Sequence, residues 1–419
     1  MPSCDQEGSG LKALKFCFVT SFYPPYSAGG DAIAVQRLAR ELVRQGHSVT
    51  VIHDIDAFAT MNRDPLPAEI GPPDNVRVFA LHSKWGIASP LVVQQTGRPL
   101  LQRRRLSNLL NDGGFDVVNF HNASLIGGPG LFRFGGDALR IYTAHEHWLV
   151  CPTHILWKNK EEVCQTPHCL SCQLRYHRPP QFWRYTHLMR DSLSSIDAFV
   201  AMSEFSRDKH REFGFTREMH VIPPCGGTAS RPALGASPHA RPYFFFAGRL
   251  EGAKGLQTVL PMLRQFPQVD LLVAGEGSLK EQLQRDGGPQ VVFLDQLPPG
   301  ALDTYYSHAV ATVVPSLAYE TFGLTLAESF RCGTPVIARR IGPFPEIVSR
   351  AQGGILYQTD DELLSAMRRL SDDPAYRSML GEQGRSAFVR LWEDSVSVRQ
   401  YLEMVSRSMR SKPRRAQET

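Results

Sequence analysis

Two runs of strand and helix patterns, parted by a single break, constrain this chain more than any other feature of its sequence. Residues 14–21, with Phe16, Cys17, Phe18 and Val19 in succession, read as a buried strand. Tyr23-Pro24-Pro25 and Gly29-Gly30 follow, then a helical stretch with Val35, Leu38, Ala39 and Leu42 on one face. Gly46 closes that helix, and residues 48–53 resume as strand. Further strands are expected at 76–81, 116–121, 140–144, 198–202 and 220–222. Residues 223–241, rich in Pro, Gly, Ala and Ser, read as a linker. The alternation then restarts, with strands expected at 243–247, 270–274, 291–294, 311–314, 335–338 and 354–357. This is an α/β pattern of two Rossmann-like halves facing across a cleft, and the loops at the carboxyl ends of their strands should carry the chemistry.

The expected divisions are a disordered arm (1–12), a first domain (13–222) with an insertion (151–184), a linker (223–241), a second domain (242–385), a helix (386–408) and a basic tail (409–419). Residues 372–408 read as helical throughout, long enough to reach back to the first half. At 419 residues the chain is too long for one comfortable core, which favours two domains.

Composition, at 42% hydrophobic and 21% charged, is that of a soluble globular protein. No apolar run approaches the roughly 18–20 residues that span a bilayer. Residues 1–10 are polar and lack the apolar centre of a signal peptide, so a cytoplasmic address is expected. The net charge of +5 gathers partly in Arg103-Arg104-Arg105 and in the tail 407–415. Neither cluster belongs to a nucleic-acid-binding module, so no nucleic-acid partner is expected. Residues 85–105 mix apolar side chains with Arg98 and the arginine triplet. That mixture suits a solvated helix and loop, or peripheral contact with the inner face of an anionic membrane.

The chemistry concentrates in Pro315-Ser316-Leu317-Ala318-Tyr319-Glu320-Thr321-Phe322-Gly323-Leu324-Thr325-Leu326-Ala327-Glu328. It runs from a buried strand through a turn into a helix, with Glu320 ahead of the helix and Glu328 inside it. The free N–H groups at such a helix start hold an anion, while a carboxylate on each side can grip hydroxyls. Arg249 and Lys254 lie in the Gly-rich loop Gly248–Gly255 after the first strand of the second half, placed to neutralise a diphosphate. Gly29-Gly30 opens the first helix; small residues there admit a phosphate or sugar, or simply make a tight turn. Neither this pair nor Gly275-Glu276-Gly277 completes a dinucleotide fingerprint, which weighs against a dehydrogenase. His145 ends one strand of the first half at the cleft, and His121 ends another.

Four of the eight cysteines, Cys151, Cys164, Cys169 and Cys172, follow the spacing C-x12-C-x4-C-x2-C. In a cytosolic chain this donor set suits a structural zinc ion. An iron–sulfur cluster, a disulfide or free buried thiols are the other readings. The expected role is to staple the loop 153–184 beside the cleft.

Together these residues resemble the retaining family-4 glycosyltransferases of GT-B fold, over nearly the whole chain from Phe16 to Tyr401. The specific motifs are Gly248-Arg249-Leu250 with Lys254-Gly255, then Ala274-Gly275-Glu276-Gly277, Pro315-Ser316 with Glu320 and Glu328, Gly333-Thr334-Pro335 and Pro345-Glu346. The resemblance implies a first domain for the acceptor and a second for the nucleotide-sugar donor (UDP-, GDP- or ADP-linked). The acceptor would be a glycan, a lipid-linked sugar or a small molecule. Arg249 and Lys254 would hold the diphosphate, and Glu328 the ribose. Glu320, Phe322, Gly323 and Leu324 would contact sugar and phosphate, with Gly248 and Gly275 close to the donor. His145 would face the transferred sugar, and Gly29-Gly30 would approach the phosphates from the other domain. No metal is implied for catalysis. A GT-B epimerase or phosphorylase, or a non-catalytic sugar-binding subunit, are the alternatives. Pro223-Pro224-Cys225-Gly226-Gly227 and Ile341-Gly342-Pro343-Phe344 depart from the usual family pattern, at the hinge and beside the donor pocket.

Overall fold

The computed structural model describes residues 12–27, 29–61, 75–232, 235–297 and 299–412. All of the arm 1–12 except its last residue, and residues 413–419 of the tail, thus lie outside the described residues.

The first half contains β1 (Lys15–Val19), β2 (Ser48–Asp54), β3 (Arg77–Leu81), β4 (Val117–Phe120), β5 (Leu139–Ala144), the short hairpin β6 (Trp157–Lys158) and β7 (Glu162–Val163), β8 (Ala198–Ala201) and β9 (His220–Val221). Apart from the hairpin these pair in parallel, in the order β3-β2-β1-β4-β5-β8-β9. Strands β4, β5 and β8 are buried along their whole length because helices cover both faces, which is why they read as mostly apolar runs, with Asn119, Arg140 and Thr143 the buried polar exceptions. Strand order reverses between β1 and β4, and the crevice at such a reversal is where open α/β sheets bind ligands. The helix Gly30–Arg44 starts there.

The second half repeats the plan with β10 (Tyr243–Ala247), β11 (Asp270–Ala274), β12 (Val291–Phe293), β13 (Ala311–Val314), β14 (Val336–Arg339) and β15 (Gly354–Tyr357). All are parallel, in the order β12-β11-β10-β13-β14-β15. Its reversal lies between β10 and β13, whose following loops carry Arg249, Lys254 and Glu320.

The expected continuous helix at 372–408 is instead broken. Helices Asp360–Asp372, Pro374–Leu391 and Asp394–Ser411 follow one another. Pro374 has no N–H with which to continue the first, and the Asp373 side chain caps the second by accepting from Tyr376 N (2.9 Å). The last helix does cross back: Asn119 Nδ2 on β4 donates to Tyr401 Oη at 3.0 Å, and Tyr401 packs on Phe16.

Trp392, at the second break, stacks on Phe330 (5.8 Å between ring centres) and meets Phe322 edge-on. The linker docks on the same corner, with Gly226 N donating to Trp392 O at 3.0 Å and Gly227 N to Asp394 Oδ1 at 2.7 Å. A Cβ at Gly226 would lie 2.7 Å from Trp392 O, so the departure at Pro223–Gly227 is a close-packed hinge that needs glycine.

Candidate active site

Two helix starts meet in the cleft. The helix Leu324–Arg331 begins after Gly323, whose φ of 105° is left-handed and whose missing Cβ would lie 2.7 Å from Phe344. Across from it stands Gly30, the first residue of the helix Gly30–Arg44; a Cβ there would come within 3.1 Å of the Leu324 side chain. Both helices point the positive ends of their dipoles into one crevice, which favours an anion there.

Glu320 sits just outside the second helix start. Lys254 Nζ and Ser316 Oγ both donate to its Oε1, at 2.8 and 2.7 Å. Burial alone would raise its pKa, but Lys254, the Ser316 hydroxyl and the charge of Arg249 outweigh burial and hold the carboxyl below its ordinary range. Its Oε2 takes no hydrogen bond among the described residues. Lys254 owes its position to the turn behind it. Gly255 has φ of 73°, and its backbone lies so close to β13 that a Cβ would meet Pro315 O at 2.1 Å. Leu317 N donates to Ala253 O (2.8 Å), clamping the cation-bearing loop onto the carboxylate-bearing one.

Gly275 lies where the loops after β10 and β11 touch. A Cβ on it would fall 2.0 Å from Gly248 O, and Gly248 N donates to Ala274 O at 3.0 Å. The glycine after β11 therefore lets two loops lie in contact and shapes the Gly248–Lys254 loop from behind. Arg249 is exposed on that loop.

Glu328 is inside the helix, as expected, but a residue absent from the sequence reading is bound to it. Arg37 Nη2 donates to Glu328 Oε1 at 2.9 Å, and Tyr306 Oη to Oε2 at 3.3 Å. Arg37 lies seven residues after Gly30, on the same helix face that Gly30 presents to the cleft. That spacing puts Arg37 on the cleft side of its helix but says nothing of its partner.

His145 Nε2 and His121 Nδ1 are 2.8 Å apart. Two imidazolium rings would both be donors, so at least one of the pair is neutral. Burial lowers the pKa of each, against a raising effect of Asp31 and Glu146 on His145 and with a further lowering by His145 on His121. The backbone joins this pair to the opposite domain. Thr321 Oγ1 donates to His145 O at 2.8 Å, and Ser203 Oγ donates to Thr321 O at 2.6 Å. Glu346 also crosses the cleft, accepting from the N–H groups of Glu204 and Phe205 at the start of the helix Glu204–Glu212. The structure thus brings Gly30, His145, Lys254, Glu320, Phe322–Leu324 and Glu328 to one crevice.

The cysteine loop folds beside it. Arg184 lies half-buried over Trp148 and Trp183 and donates to Trp148 O at 2.8 Å, pinning the end of the loop. The Tyr176 hydroxyl donates to Trp157 O of the hairpin at 2.7 Å. Cys151, Cys164, Cys169 and Cys172 are free thiols, the first and last buried. Burial, with Cys151, Cys169 and Cys172 nearby, pushes the Cys164 thiol up to about 11. Among the described residues, no three His, Cys, Asp or Glu side chains are placed to hold one metal ion. The gathered thiols are not a finished coordination sphere.

No described helix is long and apolar enough to cross a membrane.

Comparison with known proteins agrees with this geometry. The family model described as Glycosyltransferase Family 4 matches residues 28–225, and that described as Glycosyl transferases group 1 matches residues 232–387. Glycogen synthase of Mycobacterium tuberculosis is 26% identical over 91% of each chain. Among solved structures, sucrose-phosphate synthase of Thermosynechococcus elongatus superposes with a TM-score of 0.71 at 21% identity, covering 95% of this chain and all of that one. An Anabaena protein solved in complex with UDP-glucose superposes at 0.63 with 16% identity, covering 94% of this chain and 100% of its own.

Proposed function

The chain belongs to the family-4 glycosyltransferases of GT-B fold, and from that premise we propose that it transfers a sugar from a nucleoside-diphosphate sugar to an acceptor hydroxyl with retention of anomeric configuration. The observation that carries this reading is the triple arrangement at the second helix start: Lys254 bound to Glu320, free helical N–H groups beyond it, and Glu328 one turn further on. That is one site for a diphosphate, flanked by carboxylates for hydroxyl groups on either side.

In this reading Lys254 and Arg249 neutralise the diphosphate as negative charge grows on it, and the N–H groups of Phe322, Gly323 and Leu324 take the remaining oxygens. Glu328 binds the ribose hydroxyls once Arg37 lets go. Glu320, through Oε2, holds a hydroxyl of the donor sugar. His145 offers a ring nitrogen to the same sugar, its partner His121 fixing the tautomer. The acceptor oxygen attacks the anomeric carbon on the face from which the diphosphate departs. The bond from that carbon to the phosphate oxygen breaks, and the acceptor's proton passes to the same phosphate oxygen. No protein nucleophile is needed, and neither Glu320 nor Glu328 is assigned as one. UDP-glucose bound to a protein of the same fold supports a nucleotide-linked donor. The acceptor falls to the first domain, which faces the donor-binding helix start across the cleft.

The test is a panel of UDP-, GDP-, ADP- and TDP-sugars, scored for thermal stabilisation and then for hydrolysis. One donor should raise the melting temperature and be turned over slowly without acceptor. No stabilisation by any of them would overturn the proposal.

A further inference from the structure

Segment 82–111 contains Lys84, Arg98, Arg103, Arg104 and Arg105 and not a single Asp or Glu. The structure folds it into a loop after β3, the helix Ala88–Thr96 and the helix Arg103–Asn111, the last packing Leu106 and Leu110 into the core of the first domain. Lys84 lies over the Trp85 ring (5.5 Å) and Arg105 donates to His82 O (3.4 Å), but no carboxylate among the described residues pairs with any of the five cations. His82, Lys84, Trp85, Leu101, Arg104 and Arg105 line an open trough of about 450 Å³.

Large apolar side chains stand among these cations. Trp85 is 57% exposed, Ile87 53%, Leu100 50%, and Leu91 and Leu101 more than 40%. The short turn Phe182–Tyr185 extends the patch with Phe182 and Tyr185, each about two-thirds exposed. It is fastened to the same helix by Trp183, which donates to Gln94 O at 2.8 Å and packs over Gly97. Of the thirteen exposed large hydrophobics among the described residues, seven are in this one region. Scattered exposed apolar residues need no explanation, but a concentrated patch marks an interaction surface.

We propose that this face docks on an anionic membrane surface, with Trp85, Ile87, Leu91, Leu100, Leu101, Phe182 and Tyr185 entering the headgroup layer and the trough receiving lipid phosphates. Charge decides the choice of partner. A nucleic acid would be met by the cations but not by exposed Ile and Leu, whereas a lipid interface offers phosphate and hydrocarbon within a few ångströms of each other. The loop 82–87 leaves the carboxyl end of β3, the end of the sheet at which the cleft opens. Docking there sets the cleft at the membrane surface, whichever acceptor it uses.

Vesicle flotation of the full chain tests this. It should bind vesicles containing about a third phosphatidylglycerol, not phosphatidylcholine alone, and binding should weaken as salt shortens the screening length. Each cation near such a surface strengthens binding about fivefold, so Arg104→Glu with Arg105→Glu should weaken it at least a hundredfold. Trp85→Ser with Leu101→Ser should weaken it while leaving charge unchanged. Arg407→Glu with Arg410→Glu, the same charge change on the exposed end of the last helix, should have little effect. Unchanged melting temperatures would show that the variants fold. No binding of the unaltered chain to anionic vesicles would overturn the proposal. So would equal losses from the two arginine pairs, which would make binding an effect of net charge alone.

Discussion

Arg37, on the first helix of one domain, holds the Glu328 carboxylate of the other at 2.9 Å, across 291 positions of sequence. Both side chains are largely buried, so the pair is screened little by solvent. In the proposed reading it occupies the carboxylate that grips the ribose, and so acts as a latch that donor binding releases. Removing Arg37 has two opposed consequences: the folded state loses a contact between its domains, while Glu328 becomes available to the nucleotide.

Arg37→Ala is therefore expected to lower stability by about 1–3 kcal/mol, the usual cost of breaking a partly buried charged hydrogen bond. Nucleoside diphosphate affinity should rise rather than fall. Denaturant melts and nucleotide titrations of the same preparation check both. If affinity falls instead, Arg37 contacts the nucleotide and is no latch.

Acid should act through two groups of residues whose signs agree. His121 and His145, together with the buried His47, His53, His147 and His210, have folded pKa values below the ordinary histidine value, so the unfolded chain takes up protons that the folded one refuses. Stability from their neutral forms is whole above about pH 6.5 and starts to fall below it. Glu320, held below the ordinary carboxylate range, adds a second loss that begins only below about pH 4.5. Stability measured against pH should decline in these two stages. His145→Gln should flatten the upper stage in part and Glu320→Gln the lower; if each variant keeps the unaltered profile, these groups are not its source.

Gly255 permits a sharp comparison. Gly255→Ala would force a Cβ to within 2.1 Å of Pro315 O at a left-handed φ of 73°, and the turn would have to move with Lys254 on it. About 2 kcal/mol or more of stability should be lost, together with turnover. Gly252→Ala, three residues earlier and facing open space, should be neutral to within about 0.5 kcal/mol. Equal effects at the two positions would remove the account of how Lys254 is placed.

Much of this arrangement was legible in the sequence, and the reason is burial. Strands 243–247, 270–274, 311–314 and 354–357 have the observed bounds because strands of a parallel, helix-covered sheet are mostly apolar, with Asp270 and Thr312 the polar exceptions. Glu320, Lys254 and Glu328 were legible because turn glycines and helix starts fix where neighbouring side chains go. Arg37 was not, since a contact across 291 positions depends on how two domains close. The break at Trp392 was hidden for a similar reason: nothing local forbids helix there, and the chain turns because its indole has a partner in Phe330. Gly275 packs against Gly248 O, a contact between two loops that spacing alone could not have foretold.

The thiol loop supplies a separate test. Its donor set is that of a structural zinc site, and we propose that it takes up zinc, with the sulfurs drawn together on binding because no three described ligands are close enough beforehand. Protein purified without chelator should contain about one zinc per chain, and chelation should lower its melting temperature. Cys169→Ser with Cys172→Ser should abolish both. Less than about a tenth of an equivalent of zinc or iron would dismiss the metal and leave four free thiols as the working state.

Lys254 and Glu328 should fail in different ways, although both touch the donor in the proposed reading. Charge on the departing phosphate grows as the sugar bond breaks, so a cation beside it stabilises the transition state more than the bound donor. Lys254→Ala should lower kcat by about a hundredfold or more with little change in KM for donor. The ribose is unaltered by the reaction, and Glu328 grips it equally before and during bond breaking. Glu328→Ala should raise KM about ten- to a hundredfold and leave kcat nearly unchanged. Because that variant also strands Arg37, Glu328→Ala combined with Arg37→Ala separates the two effects: stability should partly return, while the raised KM should not. If both single variants change KM alone, Lys254 only binds the donor, and stabilisation of the leaving diphosphate would fall to Arg249 and the N–H groups at Phe322–Leu324.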